Sequence, residues 1–199
     1  MKRKRIGFRV AMSALIALAI SGIAVGVVGG ADNNRMRWDI VSLDFAAGTV
    51  DEGGVASALA ADGSMITLTG SGTFRANPGN PQAVSGGGAW STFDAGGIST
   101  GSGSYSVTGF VEWHLAPGVA PPLENLFGDP ADARGGLVFL TIAYSDGSTG
   151  VLVVSCHLVG TPDSVFEGIT ASKGFVDYFN AVPPAPGVDA NRTLFMVDN

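Results

Sequence analysis

The chain has 199 residues, with 17 Asp+Glu against 11 Lys+Arg, a net charge of −6, 30 glycines and one cysteine. The acid excess excludes nucleic acid as an expected partner, because a negative surface is repelled by phosphates. One cysteine rules out an intramolecular disulfide framework, and no metal or cofactor is expected, since no ligand motif of diagnostic spacing occurs.

Residues 1–31 read as a signal peptide. Lys2, Arg3, Lys4, Arg5 and Arg9 form a basic start, 10–28 is apolar apart from Ser13 and Ser21, and Gly29, Gly30 and Ala31 supply small residues for cleavage. The alternative is an uncleaved N-terminal membrane anchor carrying an external domain, because the apolar run approaches the ~20 residues that a spanning helix needs. Five Lys+Arg and no Asp+Glu lie in this segment, so the remaining 168 residues carry −11. A secreted, extracellular domain over 32–199 is therefore expected, with no stable membrane association after cleavage. Its length suits one hydrophobic core.

Taken in chain order, 38–45 reads as the first strand. The segments 53–60 and 65–74 form a hairpin around Asp62-Gly63. In 65–74, Ile66, Leu68, Gly70, Gly72 and Phe74 share one face and threonines and Ser71 the other, a period of two. A repeat of the form Gly-x-Gly-small-aromatic then occurs at 70–74, 86–90 and 101–105, which predicts three successive strands of an antiparallel meander. Inward glycines permit close approach, and an aromatic ring can cover the backbone they expose. The segment 104–115 alternates Tyr105, Val107, Gly109, Val111, Trp113 and Leu115 against Ser104, Ser106, Thr108, Phe110, Glu112 and His114. A proline-bearing connection, 116–134, follows and has the length of a lid, with one helical turn predicted at 123–127.

The central element is 135–158, two apolar runs around Ser-Asp-Gly-Ser. A two-residue turn at Asp146-Gly147 predicts Ile142 opposite Val151, Leu140 opposite Val153 and Val138 opposite Ser155. Thr161 and Pro162 predict a short helix within 161–172, with strands at 165–170 and 175–179 as the alternative. Prolines at 183, 184 and 186 enforce a loop before a last strand at 192–197. The fold class is all-β: a single antiparallel meander of eight or nine strands closing as a small barrel, or alternatively a two-layer β-sandwich.

Few side chains carry chemistry. Cys156 and His157 are strand neighbours and point to opposite faces, so they form no dyad, and Cys156 reads as a small buried hydrophobe. Glu112, His114 and His157 would make a two-histidine, one-carboxylate metal set only if tertiary geometry brought them together, and no metal is assigned. Ser155 shares a face with His157 but lacks a nucleophile elbow. Asp129, Asp132 and Asp189 lack calcium-loop spacing. No catalytic residue is expected. Glu112, His114, Ser155 and His157 are the candidate ligand-binding residues, with Glu112, His114 and His157 expected at one rim under the 116–134 loop.

The whole pattern resembles that of secreted bacterial β-rich proteins with no assigned activity. At fold level alone the pattern resembles calycin-like or dirigent-like barrels, and that likeness carries no residues across. The expected function is an exported, non-catalytic β-domain that binds a small apolar ligand or a surface partner. A dirigent- or cyclase-like barrel enzyme and a structural or adhesive module are the alternatives.

Overall fold

Alternating apolar residues, β-branched runs and glycine turns make strands the main element of the described residues. The computed structural model describes residues 35–75, 84–184 and 191–198. The expected signal segment 1–31 and Asp189 lie outside the described residues. The strands are β1 (Arg35–Asp44), β2 (Thr49–Glu52), β3 (Ala56–Leu59), β4 (Met65–Leu68), β5 (Ser71–Arg75), β6 (Val84–Phe93) and β7 (Ser99–Ala116). They continue as β8 (Glu124–Asn125), β9 (Ala133–Tyr144), β10 (Thr149–Cys156), β11 (Gly168–Lys173), β12 (Val176–Tyr178), β13 (Asn180–Ala181) and β14 (Arg192–Asp198). Among the described residues there are more strands than the eight or nine expected. The surplus comes from two-residue pieces such as β8 and β13, and from division of 65–74 at Gly70. There the backbone changes partner: Ile40 N–H donates to Gly70 O, and Thr69 N–H to Ala89 O.

Six strands close a barrel. Going round, β1 pairs with β5, β5 with β6, β6 with β7, β7 with β9, β9 with β14, and β14 with β1, all antiparallel. The three glycine-repeat strands are consecutive, as expected. Two wings continue the sheet beyond the ring: β10, β11 and β12 extend from β9, while β4, β3 and β13 extend from β6. The sandwich alternative is not what forms.

The barrel interior is filled by aromatic rings. Phe74 stacks on Phe110 at 5.5 Å between centroids, Trp113 meets Phe195 edge-on at 4.6 Å, and Phe74 meets Phe195 at 6.2 Å. Trp38 completes the filling and lies over Gly72 and Gly86, which face each other across β5 and β6. A Cβ on Gly72 would sit 2.7 Å from the Trp38 indole nitrogen and 2.2 Å from Ser85 O, so side chains are excluded there. The repeated glycines thus allow a tryptophan to lie against bare backbone.

Register departs from expectation at two places. The 145–147 loop has three residues rather than two. Tyr144 N–H donates to Ser148 O at 2.8 Å, Gly147 N–H donates to Tyr144 O at 3.0 Å, and Gly147 has φ 89°. The Asp146 carboxylate accepts the Ser148 N–H and hydroxyl. This is a turn followed by a left-handed residue. The extra residue slips the register by one, so Val151 faces Thr141, Leu152 faces Leu140 and Val154 faces Val138. A slip of one moves a strand's side chains to the other face. Leu152, Val154 and Cys156 therefore enter the core beside Ile142, Leu140 and Val138.

In β7 the even alternation fails because two bulges interrupt pairing with β9, between Val107 and Gly109 and between Phe110 and Glu112. Each bulge inserts one residue and re-aims those after it. The inward series is therefore Tyr105, Val107, Phe110 and Trp113, while Val111 and Leu115 are 57% and 53% exposed.

Two helix expectations are corrected. At 123–127 the chain forms β8, parallel to β2, with Leu126 N–H donating to Val50 O at 3.0 Å; β2 offers a free edge, which a local helical turn would leave unsatisfied. Within 161–172 no helix forms. A turn at Pro162–Val165 leads into β11, because Gly168 has φ 109°, outside the helical region, and the edge of β10 is open for pairing. The one helical piece among the described residues is a 3₁₀ turn at Pro130–Asp132, capped by Asp129. No helix among them is long and apolar enough to cross a membrane.

Candidate functional site

The 117–132 connection runs as a strap over the outer face of β1 and β14. Register sets that face: Arg37 opposes Met196, Asp39 opposes Leu194, and Val41 opposes Arg192. At one end the strap is anchored by polar contacts. The Arg37 guanidinium lies over the Phe127 ring at 5.1 Å and bonds Asp39 and Glu52, each at 2.7 Å. Asp39 is only 1% exposed, and one of its carboxylate oxygens has no partner. Burial pushes its pKa up, against the opposing pull of Arg37.

At the other end the strap leaves a cavity of about 70 Å³. Its walls are apolar: Val41, Leu43 and Val50 from β1 and β2, Leu194 from β14, and Pro121 and Leu123 from the strap. Its far end is polar and is built from His157, Glu167, Arg192 and Thr193, with Cys156 alongside. A water needs roughly 10–15 Å³ of such space, so the cavity has room for several waters or one small group.

Glu167 organises the polar end. One carboxyl oxygen accepts the His157 backbone N–H at 2.6 Å, and the other accepts the Thr193 N–H at 2.7 Å. The side chain therefore ties the start of β14 to the end of β10, two segments whose backbone groups would otherwise lack partners. Burial, the largest cause, pushes its pKa up to about 7, against those two hydrogen bonds and nearby Arg192. Cys156 is fully buried and its thiol is pushed well above the ordinary range by burial, so it is no nucleophile at neutral pH.

Arg192 is the other charged group here. Its Nε is buried without a hydrogen-bond partner. Its guanidinium lies over the Phe45 ring at 5.6 Å. Leaving a buried donor unsatisfied costs about 1–3 kcal/mol, and more for a charged group.

The residues expected to form a site separate into two places. His157 lines the cavity, and its Nδ1 lies 2.7 Å from Val165 O. The carbonyl can only accept, so Nδ1 is the donor in this bond. Ser155 is buried behind it, its hydroxyl donating to Phe166 O and its carbonyl accepting from Thr193. Glu112 and His114 pair with each other at 3.2 Å, but on the exposed outer face of β7, 59% and 56% exposed. The His114 ring rests edge-on against Phe139. The expected rim of Glu112, His114 and His157 is therefore not assembled around the cavity. No cluster of three metal-ligating side chains occurs among the described residues. The 116–134 connection, expected as a lid over that rim, instead lines this cavity through Pro121 and Leu123.

Glu167, Arg192 and Thr193 do not stand out in the sequence. The one signal there is an acid or a base standing alone within apolar stretches, Val-Phe-Glu-Gly-Ile and Arg-Thr-Leu-Phe-Met. Asn191, which begins a glycosylation-like triplet, is only 4% exposed, and its side chain accepts the Ser57 N–H at 2.6 Å, a structural role. Comparison with protein-family models, with curated proteins and with solved structures finds no match.

Proposed function

We propose that this domain is a non-catalytic binding module for a small, mostly apolar ligand, working outside the cell after loss of residues 1–31. The observation that carries the reading is the strap-covered cavity, apolar along its length and polar at one end. Ligand sites of this kind combine apolar walls with a few placed polar groups. The aromatic filling of the barrel interior supports a site outside the ring rather than within it.

The test is binding of an apolar fluorescent amine, N-phenyl-1-naphthylamine, by the full chain. One site per chain is expected, and Leu123→Trp, which fills the cavity from the strap, abolishes it. No binding, or equal binding by the variant, sinks the reading. Export has its own test: material recovered outside the cell should begin at Asp32.

One observation favours the enzyme alternative. A carboxyl group with its pKa held near 7 beside a cavity is suited to proton transfer at neutral pH, as a cyclase- or isomerase-like reaction requires. Both Glu167 oxygens already accept backbone N–H groups, which favours a structural and binding role.

A further inference from the structure

We infer that the occupant of the cavity is a monocarboxylate with a small apolar body, its carboxylate held by Arg192 and its chain laid between β1 and the strap. The inference rests on the binding function proposed above and adds the chemical class of the ligand.

The cations of the chain give the first reason. They are few, and the described ones are mostly matched. Arg35 pairs with Asp198, Arg37 with Asp39 and Glu52, and Lys173 with Asp146, while Arg134 donates to the carbonyls of Ala131 and Ala133. Arg192 differs. Among the described residues its side chain has no carboxylate within ion-pair distance and no hydrogen-bond acceptor, and its Nε is buried. In a chain with such an excess of acid, a cation on a cavity wall with no ion pair among the described residues has the character of an anion receptor. Arginine also has the right shape, since its planar fork matches a carboxylate, and its guanidinium lies over the Phe45 ring.

The neighbours narrow the class. The Glu167 oxygens are occupied by the N–H groups of His157 and Thr193, so they do not offer a seat to a ligand ammonium. With its pKa near 7, Glu167 is largely neutral in mildly acidic solution and does not repel an anion there. The other groups facing it are Arg192 from β14 and His157 and Cys156 from the end of β10. A dianion such as a phosphate monoester would bring a second charge that one guanidinium leaves uncompensated in apolar surroundings. Val41, Val50, Leu123 and Leu194 ask for a hydrocarbon body, and about 70 Å³ limits how much of it is enclosed.

Isothermal titration of the full chain at pH 6 with octanoate, 1-octanol and octylammonium tests this. Octanoate should bind at least about tenfold more tightly than octanol, and octylammonium most weakly. Arg192→Gln should bring octanoate down to within about twofold of octanol while leaving octanol unchanged. If octanol equals octanoate, or octylammonium binds best, the carboxylate class is overturned and the binding reading survives. If the unaltered chain binds none of the three, both fall. Should Arg192→Gln fail to fold by thermal melting, the ranking of the three ligands on the unaltered chain decides alone. Arg192→Lys, which keeps the charge and loses the fork, should weaken octanoate by about threefold or more.

Discussion

The barrel interior and the strap-covered cavity are built from opposite materials. The interior is closed by six strands and filled by Trp38, Phe74, Phe110, Trp113 and Phe195, ring against ring. The cavity lies outside the ring, walled by aliphatic side chains and prolines, with a buried acid at its end and an arginine whose Nε has no hydrogen-bond partner among the described residues. One region is filled and apolar; the other is partly empty and charged. In this chain stability and the proposed binding are therefore carried by different faces of the same strands: Phe195 points inward from β14, and its neighbour Leu194 points outward to the cavity.

The comparison breaks most visibly at Phe195. Phe195→Ala removes a fully buried ring that touches Phe74 and Trp113, and should cost about 3–5 kcal/mol in denaturant unfolding. Ligand affinity in the folded fraction should stay unchanged, because the ring does not reach the cavity.

Next in size is the pH dependence set by Glu167. Its folded pKa is raised from the ordinary value of 4.5 to about 7. Stability is then greatest while the group is protonated in both states, at low pH. It declines between about pH 4.5 and 7, as the unfolded chain ionises first, by on the order of 3 kcal/mol in all. Glu167→Gln should flatten that decline. It should also lower stability at pH 5, since an amide NH₂ would face one of the two backbone N–H donors. Stability rising through this window would refute the assignment.

Filling the cavity comes third. Leu123→Trp should destabilise by about 1–3 kcal/mol, as overpacking does, with the lower end expected at a half-buried strap. It should nonetheless abolish ligand binding, so loss of function would exceed loss of stability.

The smallest effect sharpens the contrast from the outside. Glu112 and His114 form an exposed pair, and such pairs contribute about 0–1 kcal/mol. The double change Glu112→Gln, His114→Ala should leave the thermal midpoint nearly unmoved, and should not alter octanoate affinity.

How much of this is legible in the sequence depends on the range of the interactions. Period-two patterning in 65–74 locates Ile66, Leu68 and Phe74 in the core, and the glycine repeat places three consecutive strands. Those are local signals. The β9–β10 register is not legible, because Ser-Asp-Gly-Ser fits a two- or a three-residue loop, and the choice depends on the Asp146–Ser148 bonds. The β7 bulges are hidden because nothing in Thr108 or Val111 announces an extra residue; the aromatic packing of Phe110 and Trp113 decides it. The strap is visible in its length and prolines, and His157 stands on the cavity that it covers. Glu167 and Arg192 are not legible as neighbours. Their meeting depends on β14 returning beside the end of β10, which no local pattern encodes.

The central claim is that the ligand sits outside the barrel, under the strap. Methyl chemical-shift mapping of the full chain titrated with octanoate at pH 6 tests it most directly. The account predicts perturbations confined to the methyls that line the cavity, Val41, Leu43, Val50, Leu123, Leu158 and Leu194 among them. Perturbations centred instead on Val138, Leu140 and Ile142 on the core-facing side of β9, with the strap methyls unmoved, would contradict it.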